Sequence, residues 1–125
     1  MKYLLDTHAL LWYLYDDNNL SSTAKELITN EYCYYSKVSL WEIAIKQTRK
    51  LLEYKQSISE IIAACKEEEF EELVVSGTSL ELIKTLPDIH RDPFDRLLIA
   101  MAKENDFTII TKDSKIPLYD VKTIW

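Results

Sequence analysis

The chain has 125 residues, is 47% hydrophobic and carries 15 basic against 21 acidic side chains, for a net charge of −6. That is one domain's length with ample material for a core, which excludes wholesale disorder and leaves little room for a second domain. The single glycine, Gly77, excludes a Walker loop, a GxGxxG turn and a GxSxG elbow, and the acidic balance excludes a broad basic grip on nucleic acid unless divalent cations among clustered acids invert the local field.

Residues 2–5 (Lys-Tyr-Leu-Leu) read as a short buried strand ending at Asp6, and His8 to Tyr15 as a helix that is apolar nearly all round. Asp16-Asp17-Asn18-Asn19 is a turn, and a helix capped by Ser21 or Ser22 runs to about Thr29 with Ala24, Leu27 and Ile28 on one face. Tyr32-Cys33-Tyr34-Tyr35 is strand-like. Ser39 opens the next helix, with Trp41, Ala44, Ile45, Thr48 and Leu52 as its apolar stripe. Ile58 to Lys66 is a helix with Ile58, Ile61, Ile62 and Cys65 inward; Leu73-Val74-Val75 is a strand; Thr78 caps a short helix over Leu80 to Leu86 that Pro87 ends. Asp92-Pro93-Phe94-Asp95 opens the most regular helix, where Phe94, Leu97, Leu98, Met101 and Ala102 fall at i, i+3, i+4, i+7 and i+8. Thr108 to Thr111 and Val121 to Ile124 are the last strands.

Strands alternating with helices predict an α/β domain over 1–125, a mainly parallel β-sheet flanked by helices on both faces. No run approaches the ~20 apolar residues of a membrane span. Asp6 and His8 interrupt the N-terminal apolar stretch and no small-residue cleavage site follows, so the expected location is cytoplasmic, with no membrane association. Cys33 and Cys65 form neither a CxxC pair nor a disulfide framework.

In open parallel sheets a ligand binds beyond the carboxyl ends of the strands, near the point where strand order reverses. Asp6 and Asp113 directly follow strands, Glu42 lies in the first turn of the helix after the second strand, and Asp92 and Asp95 begin the helix before strand 108–111. A sheet that gathers these ends puts four or five acids in one small volume, where repulsion raises their pKa values unless a positive charge sits among them. Hard oxygen ligands favour Mg²⁺ or Mn²⁺ over zinc. Each acid also has a plain structural role. Asp6 can cap a helix, Ser39-x-x-Glu42 is a capping box, Asp92 with Pro93 and Asp95 is an orderly helix start, and Asp113 can make an Asx turn. Only the functional reading needs all of them on one edge of the sheet.

Lys46, four residues after Glu42, can pair with it or reach a substrate phosphate, and Arg91 and Arg96 are placed for phosphate contacts or salt bridges. His8 and His90 are too scattered for a HExxH site and read as site-edge or packing residues. Lys66-Glu67-Glu68-Glu69 reads as a solvated helix end. Trp12, Tyr13, Tyr15, Tyr32, Tyr34 and Tyr35 read as core before base-stacking platforms, with a partner surface as the alternative.

Leu5-Asp6-Thr7-His8-Ala9-Leu10-Leu11-Trp12, Ser39-Leu40-Trp41-Glu42-Ile43-Ala44-Ile45-Lys46, the long stretch from His90 to Ala100 (HRDPFDRLLIA) and Thr111-Lys112-Asp113 resemble, in order and spacing, a PIN domain of the VapC-like toxin group of type II toxin–antitoxin systems. The resemblance implies a PIN fold and a Mg²⁺- or Mn²⁺-dependent endoribonuclease that hydrolyses RNA phosphodiester bonds, held in check by a cognate antitoxin. It puts Asp6, Glu42, Asp95 and Asp113 at the family's catalytic, metal-holding positions, with Asp92 as a secondary acid. With the N-terminal aromatic excess, it also leads to the expectation of a homodimer. Relatives often carry His where this chain has Ile89 and Gln where it has Met101, departures expected to bear on substrate preference or on the rim of the site. Two other readings stand beside this one. An aspartate-based phosphotransfer domain of the HAD kind wants a second Asp where this chain has His8, and a receiver's paired acids are missing. A non-catalytic interaction module would use the acids only as caps.

Overall fold

In the computed structural model, which describes Met1–Trp125, all the strand pairings are parallel and the five strands run in the order β3-β2-β1-β4-β5. The elements in chain order are β1 (Lys2–Leu5), α1 (Thr7–Leu14), α2 (Ser22–Asn30), β2 (Tyr32–Tyr35), α3 (Lys37–Thr48), α4 (Ile58–Glu67), β3 (Glu71–Glu72), α5 (Gly77–Ile83), α6 (Pro93–Asn105), β4 (Thr108–Ile110), a 3₁₀ turn (Ile116–Leu118) and β5 (Thr123–Ile124). The chain builds outward from β1 to β3 on one side, then crosses back to lay β4 and β5 on the other. The switch point therefore lies between β1 and β4, whose register pairs Leu5 with Ile110.

The central strands are buried on both faces, because their side chains alternate between two cores. Leu5 and Ile110 face a core with Leu10 and Leu11 of α1, Ile28 of α2, Ile43 of α3 and Ile61 of α4. Leu4 and Ile109 face a second core with Leu98, Ile99 and Met101 of α6, closed by Phe107 and Ile116. Each central strand thus contributes to both layers. Edge strand β3 is two residues long, which limits the row of unpaired backbone groups it offers to another chain.

Three expectations shift. Helix α3 starts at Lys37, not at Ser39, because Ser36 accepts the Val38 N–H at 3.1 Å and caps it one residue after β2 ends. Ser39 is then buried with an unpaired hydroxyl, and Glu42 falls in the second turn, so no capping box forms there. The buried face of α3 is set by Val38, Leu40 and Ile43, leaving Trp41, expected inward, 59% exposed against the edge of Phe94. The third strand is Glu71–Glu72, not Leu73-Val74-Val75: pairing to Tyr34 and Tyr35 decides the strand, while Val74 is exposed despite its β propensity. Helix α5 is capped by Ser76, not Thr78, and spans Gly77–Ile83; the Ser76 and Ser79 hydroxyls both donate to the Glu104 carboxylate of α6.

Candidate functional site

A polar cleft of about 180 Å³ opens at the carboxyl ends of β1 and β4, lined among others by Asp6, Glu42, Lys46, His90, Asp92, Asp95 and Asp113. The fold places each acid for a local reason, and in several the structural role uses only one carboxylate oxygen. Asp6, where β1 ends, caps α1 by accepting the Ala9 N–H on Oδ1 at 2.8 Å. Asp92 caps α6, accepting the N–H of Phe94 at 2.8 Å and of Asp95 at 3.1 Å on Oδ1, with Pro93 at the first helical position. Asp113 holds the turn after β4 by accepting the N–H of Lys115 at 2.7 Å and of Ile116 at 3.0 Å on Oδ1. Capping and facing the cleft are thus compatible for these acids.

Glu42 is different. It is buried, and both its oxygens are engaged: Oε1 accepts from the Thr7 hydroxyl at 2.7 Å and Oε2 from Lys46 Nζ at 2.6 Å. Across the cleft, His90 Nε2 lies 2.9 Å from Asp95 Oδ2 and 3.2 Å from Asp113 Oδ2. Its Nδ1 accepts from the Asp92 N–H at 3.3 Å, which puts the ring proton on Nε2, hydrogen-bonded to Asp113. One ligand atom each from His90, Asp95 and Asp113 lies within 4.8 Å of the others, close enough to share a cation.

The electrostatics follow. Burial, reinforced by the charges of Asp92, Glu42, Asp6 and Asp113, pushes the Asp95 carboxyl up to about 8. Burial likewise raises Asp6, against the Ala9 amide and the Thr111 hydroxyl, which lower it. Burial acts upward on Asp113 too, but the Lys115 and Ile116 amides and His90 outweigh it and hold the group below its ordinary value. Lys46 loses hydration, yet Glu42, Asp92 and Asp95 raise its pKa and keep it a cation.

The structure therefore gathers Asp6, Glu42, Asp92, Asp95, Asp113 and Lys46 into one cleft. It does not gather Arg91 and Arg96. Arg91 is exposed and outside the cleft lining, while Arg96 gives its guanidinium N–H groups to the Pro87 and Ile83 carbonyls and the Tyr119 hydroxyl, as a brace between α5 and α6. Ile89 and Met101 pack in the second core and not at the cleft rim. His90, a site-edge or packing residue by sequence, lines the cleft, as do Thr7 and Lys112. The signal for His90 was its place two residues before a capping acid, where its ring turns back over the helix start.

A family model described as "PIN domain" matches residues 3–122. The chain belongs to the PIN domain family. No curated protein sequence matches it. Solved structures share the fold at low identity. VapBC2 from Rickettsia felis, solved bound to a DNA fragment from its promoter, aligns at TM-score 0.72 and 13% identity over 99% of this chain and 98% of that one. FitAcB from Neisseria gonorrhoeae aligns at 0.67 and 15%, over 98% and 96%. FitAB bound to an IR36 DNA fragment aligns at 0.64 and 14%, over 98% and 93%. In this PIN domain the acids meet at the topological switch point, where open α/β sheets present their ligands. No helix is long and apolar enough to cross a membrane.

Proposed function

We propose that this PIN domain is a Mg²⁺- or Mn²⁺-dependent endoribonuclease, the toxin of a toxin–antitoxin pair. The observation that carries the reading is the convergence of Asp6, Glu42, Asp95 and Asp113 on one cleft, with Asp95 raised to about 8 by burial among like charges. PIN membership supports a nuclease, and the toxin–antitoxin assemblies VapBC2 and FitAcB, which share the fold, support an antitoxin partner.

The donor set suits a hard divalent cation: carboxylate oxygens predominate and no cysteine is near. Asp6, Asp95 and Asp113 would hold it, with Glu42 acting through water while Thr7 and Lys46 occupy its oxygens. Such an ion supplies an acidified water and neutralises charge on the phosphoryl oxygens. The chain's own groups do the rest. Water adds to phosphorus, the bond to the leaving ribose oxygen breaks, and a proton ends on that oxygen. Burial among like charges raises Asp95 to about 8 in the metal-free cleft, and a bound cation would favour its ionised form. Lys46 and Lys112, the lysines of the cleft lining, bind the backbone phosphates.

The test is incubation of the chain with end-labelled single-stranded RNA in Mg²⁺, in Mn²⁺ and in chelator. Cleavage in either metal that stops in chelator supports the reading, and intact RNA in both metals refutes it. A homodimer is part of the same proposal, and sedimentation at micromolar concentration tests it: a clean monomer counts against it. Cytoplasmic location goes with the RNA substrate.

A further inference from the structure

The cleft has an apolar element that the hydrolysis above leaves unused. Trp12 is the one hydrophobic side chain in its lining. Together with His8 it also lines a second depression, which continues past Asn19, Leu51 and Tyr54. The acid cleft and this depression therefore share a wall made of two rings.

The indole is braced but not covered. The His8 ring lies at 5.2 Å and 35° to it, and Trp125 packs against it in an edge arrangement at 5.8 Å. Trp12 is half-buried and His8 exposed, so part of a large flat π surface faces the polar cleft. Lys112, the residue before Asp113, holds its ammonium 5.8 Å from the ring centroid. Leu51, 66% exposed, extends the apolar floor of the second depression. A π surface, an exposed cation and a cluster of acids thus adjoin one another. That sequence of chemistries matches one nucleotide: a base for the ring, a phosphate oxygen for the ammonium and a phosphodiester at the acids.

We propose that Trp12, flanked by His8, is the platform on which the base of a nucleotide next to the scissile phosphate stacks, with Lys112 moving from the ring to the adjoining phosphate. The inference rests on the ribonuclease reading and narrows its substrate to single-stranded RNA, because a base inside a duplex has no free face to offer. Stacking is tolerant of base identity, so the platform positions the strand and leaves sequence choice to other contacts. It also revises the reading of Trp12 as a core residue.

The experiment starts from a mixed-sequence single-stranded RNA whose cut by the full chain with Mn²⁺ has been mapped. That RNA is remade with an abasic ribose on either side of the cut, and kcat/KM is measured for the wild type, Trp12→Ala and Trp12→Phe. On intact RNA Trp12→Ala should lose about 5–150-fold, the range for one base on one aromatic ring, mainly through KM, and Trp12→Phe should recover most of it. On one of the two abasic RNAs the wild type and Trp12→Ala should agree within about twofold. Any loss of folded protein in Trp12→Ala falls equally on every substrate and cancels from this comparison. If Trp12→Ala loses the same factor on intact and both abasic RNAs, or loses nothing, the platform is overturned and the ribonuclease reading stands. If the wild type cuts no RNA in Mg²⁺ or Mn²⁺, that reading falls and the platform with it.

Discussion

The two walls of the cleft hold their acids by different means. On the α3 wall, Glu42 has a hydroxyl on one oxygen and the Lys46 ammonium on the other, so its charge is matched within the chain. On the α6 wall, Asp95 lies 2.9 Å from His90 Nε2, but the ring's hydrogen bond goes to Asp113, while Asp92, Glu42, Asp6 and Asp113 press on Asp95 with like charge. Burial, with these charges added to it, drives Asp95 up to about 8. Buried carboxylates in one cleft thus separate into one that the fold has neutralised and one that awaits a positive charge from elsewhere. The second kind marks where a cation would act.

The strongest way to break this contrast is Asp95→Asn. It removes the acid for which no cation is supplied, and RNA cleavage should fall by ~10²-fold or more, since even groups behind a metal ligand cost 10–100-fold when lost. The fold should not suffer: the melting temperature at pH 8 should be kept or raised. Cleavage at the wild-type rate would refute the assignment.

Next in size is the effect of the cation itself. At 100 times its Kd, Mn²⁺ should stabilise the chain by about 2.7 kcal/mol, visible as a rise in Tm of roughly 5–10 °C. The rise should vanish in Asp95→Asn and shrink at pH 5. An equal rise in wild type and variant would mean binding elsewhere.

The sign of the metal-free pH dependence sharpens the same point. With its pKa raised above the ordinary 3.8 to about 8, Asp95 binds more protons folded than unfolded in the window between them. Its contribution therefore favours the fold at the acid end and is lost as pH rises toward 8. Asp6, also raised, acts in the same direction, whereas the lowered Asp113 adds stability that disappears only as pH falls below the ordinary carboxylate range. Denaturant melts in chelator from pH 5 to pH 8 should show a decline that flattens in Asp95→Asn. An undiminished slope in the variant would place the proton elsewhere.

The other wall answers to a different change. Lys46→Met strips the ammonium from the buried Glu42, and the Lys46 side chain is 30% exposed, so the loss is partly screened. The expected destabilisation is about 1–3 kcal/mol, largely restored by adding Glu42→Gln, which leaves no charge to match. An unchanged denaturation midpoint in Lys46→Met would show that water serves Glu42 as well as the ammonium does. The smallest effect should be that of Asp92→Asn, within about 0.5 kcal/mol, because asparagine caps a helix as well as aspartate does.

Much of this was legible from the chain alone, for identifiable reasons. The central strands were readable because β1 and β4 are apolar on both faces, and α6 because its start, Asp92-Pro93-x-Asp95, states the cap and the first turn in full. The convergence of acids followed from strand–helix alternation and the rule for parallel sheets. Errors arose where two signals competed locally and a distant contact decided. Ser39 reads as the start of a helix, but β2 ends at Tyr35 and the helix begins directly behind Ser36. Leu73 to Val75 looked more like a strand than Glu71–Glu72 does, but the partner strand sets the pairing. Arg96 looked like a phosphate contact because it flanks the acids, yet its direction depends on carbonyls in the loop and helix before α6. The place of His90 before the helix cap hints at the site edge, but its hydrogen bond to Asp113, 23 residues away, depends on the tertiary fold.

The central claim is that the α6 wall lacks a positive charge that a divalent cation supplies for RNA cleavage. Calorimetric titration of Mn²⁺ into the metal-free wild type and into Asp95→Asn, with RNA cleavage followed at each added increment, tests it most directly. The account predicts saturable binding by the wild type, cleavage that rises with the bound fraction, and both lost together in Asp95→Asn. Binding of equal strength in the two proteins, or cleavage by the wild type before any metal is bound, would contradict it.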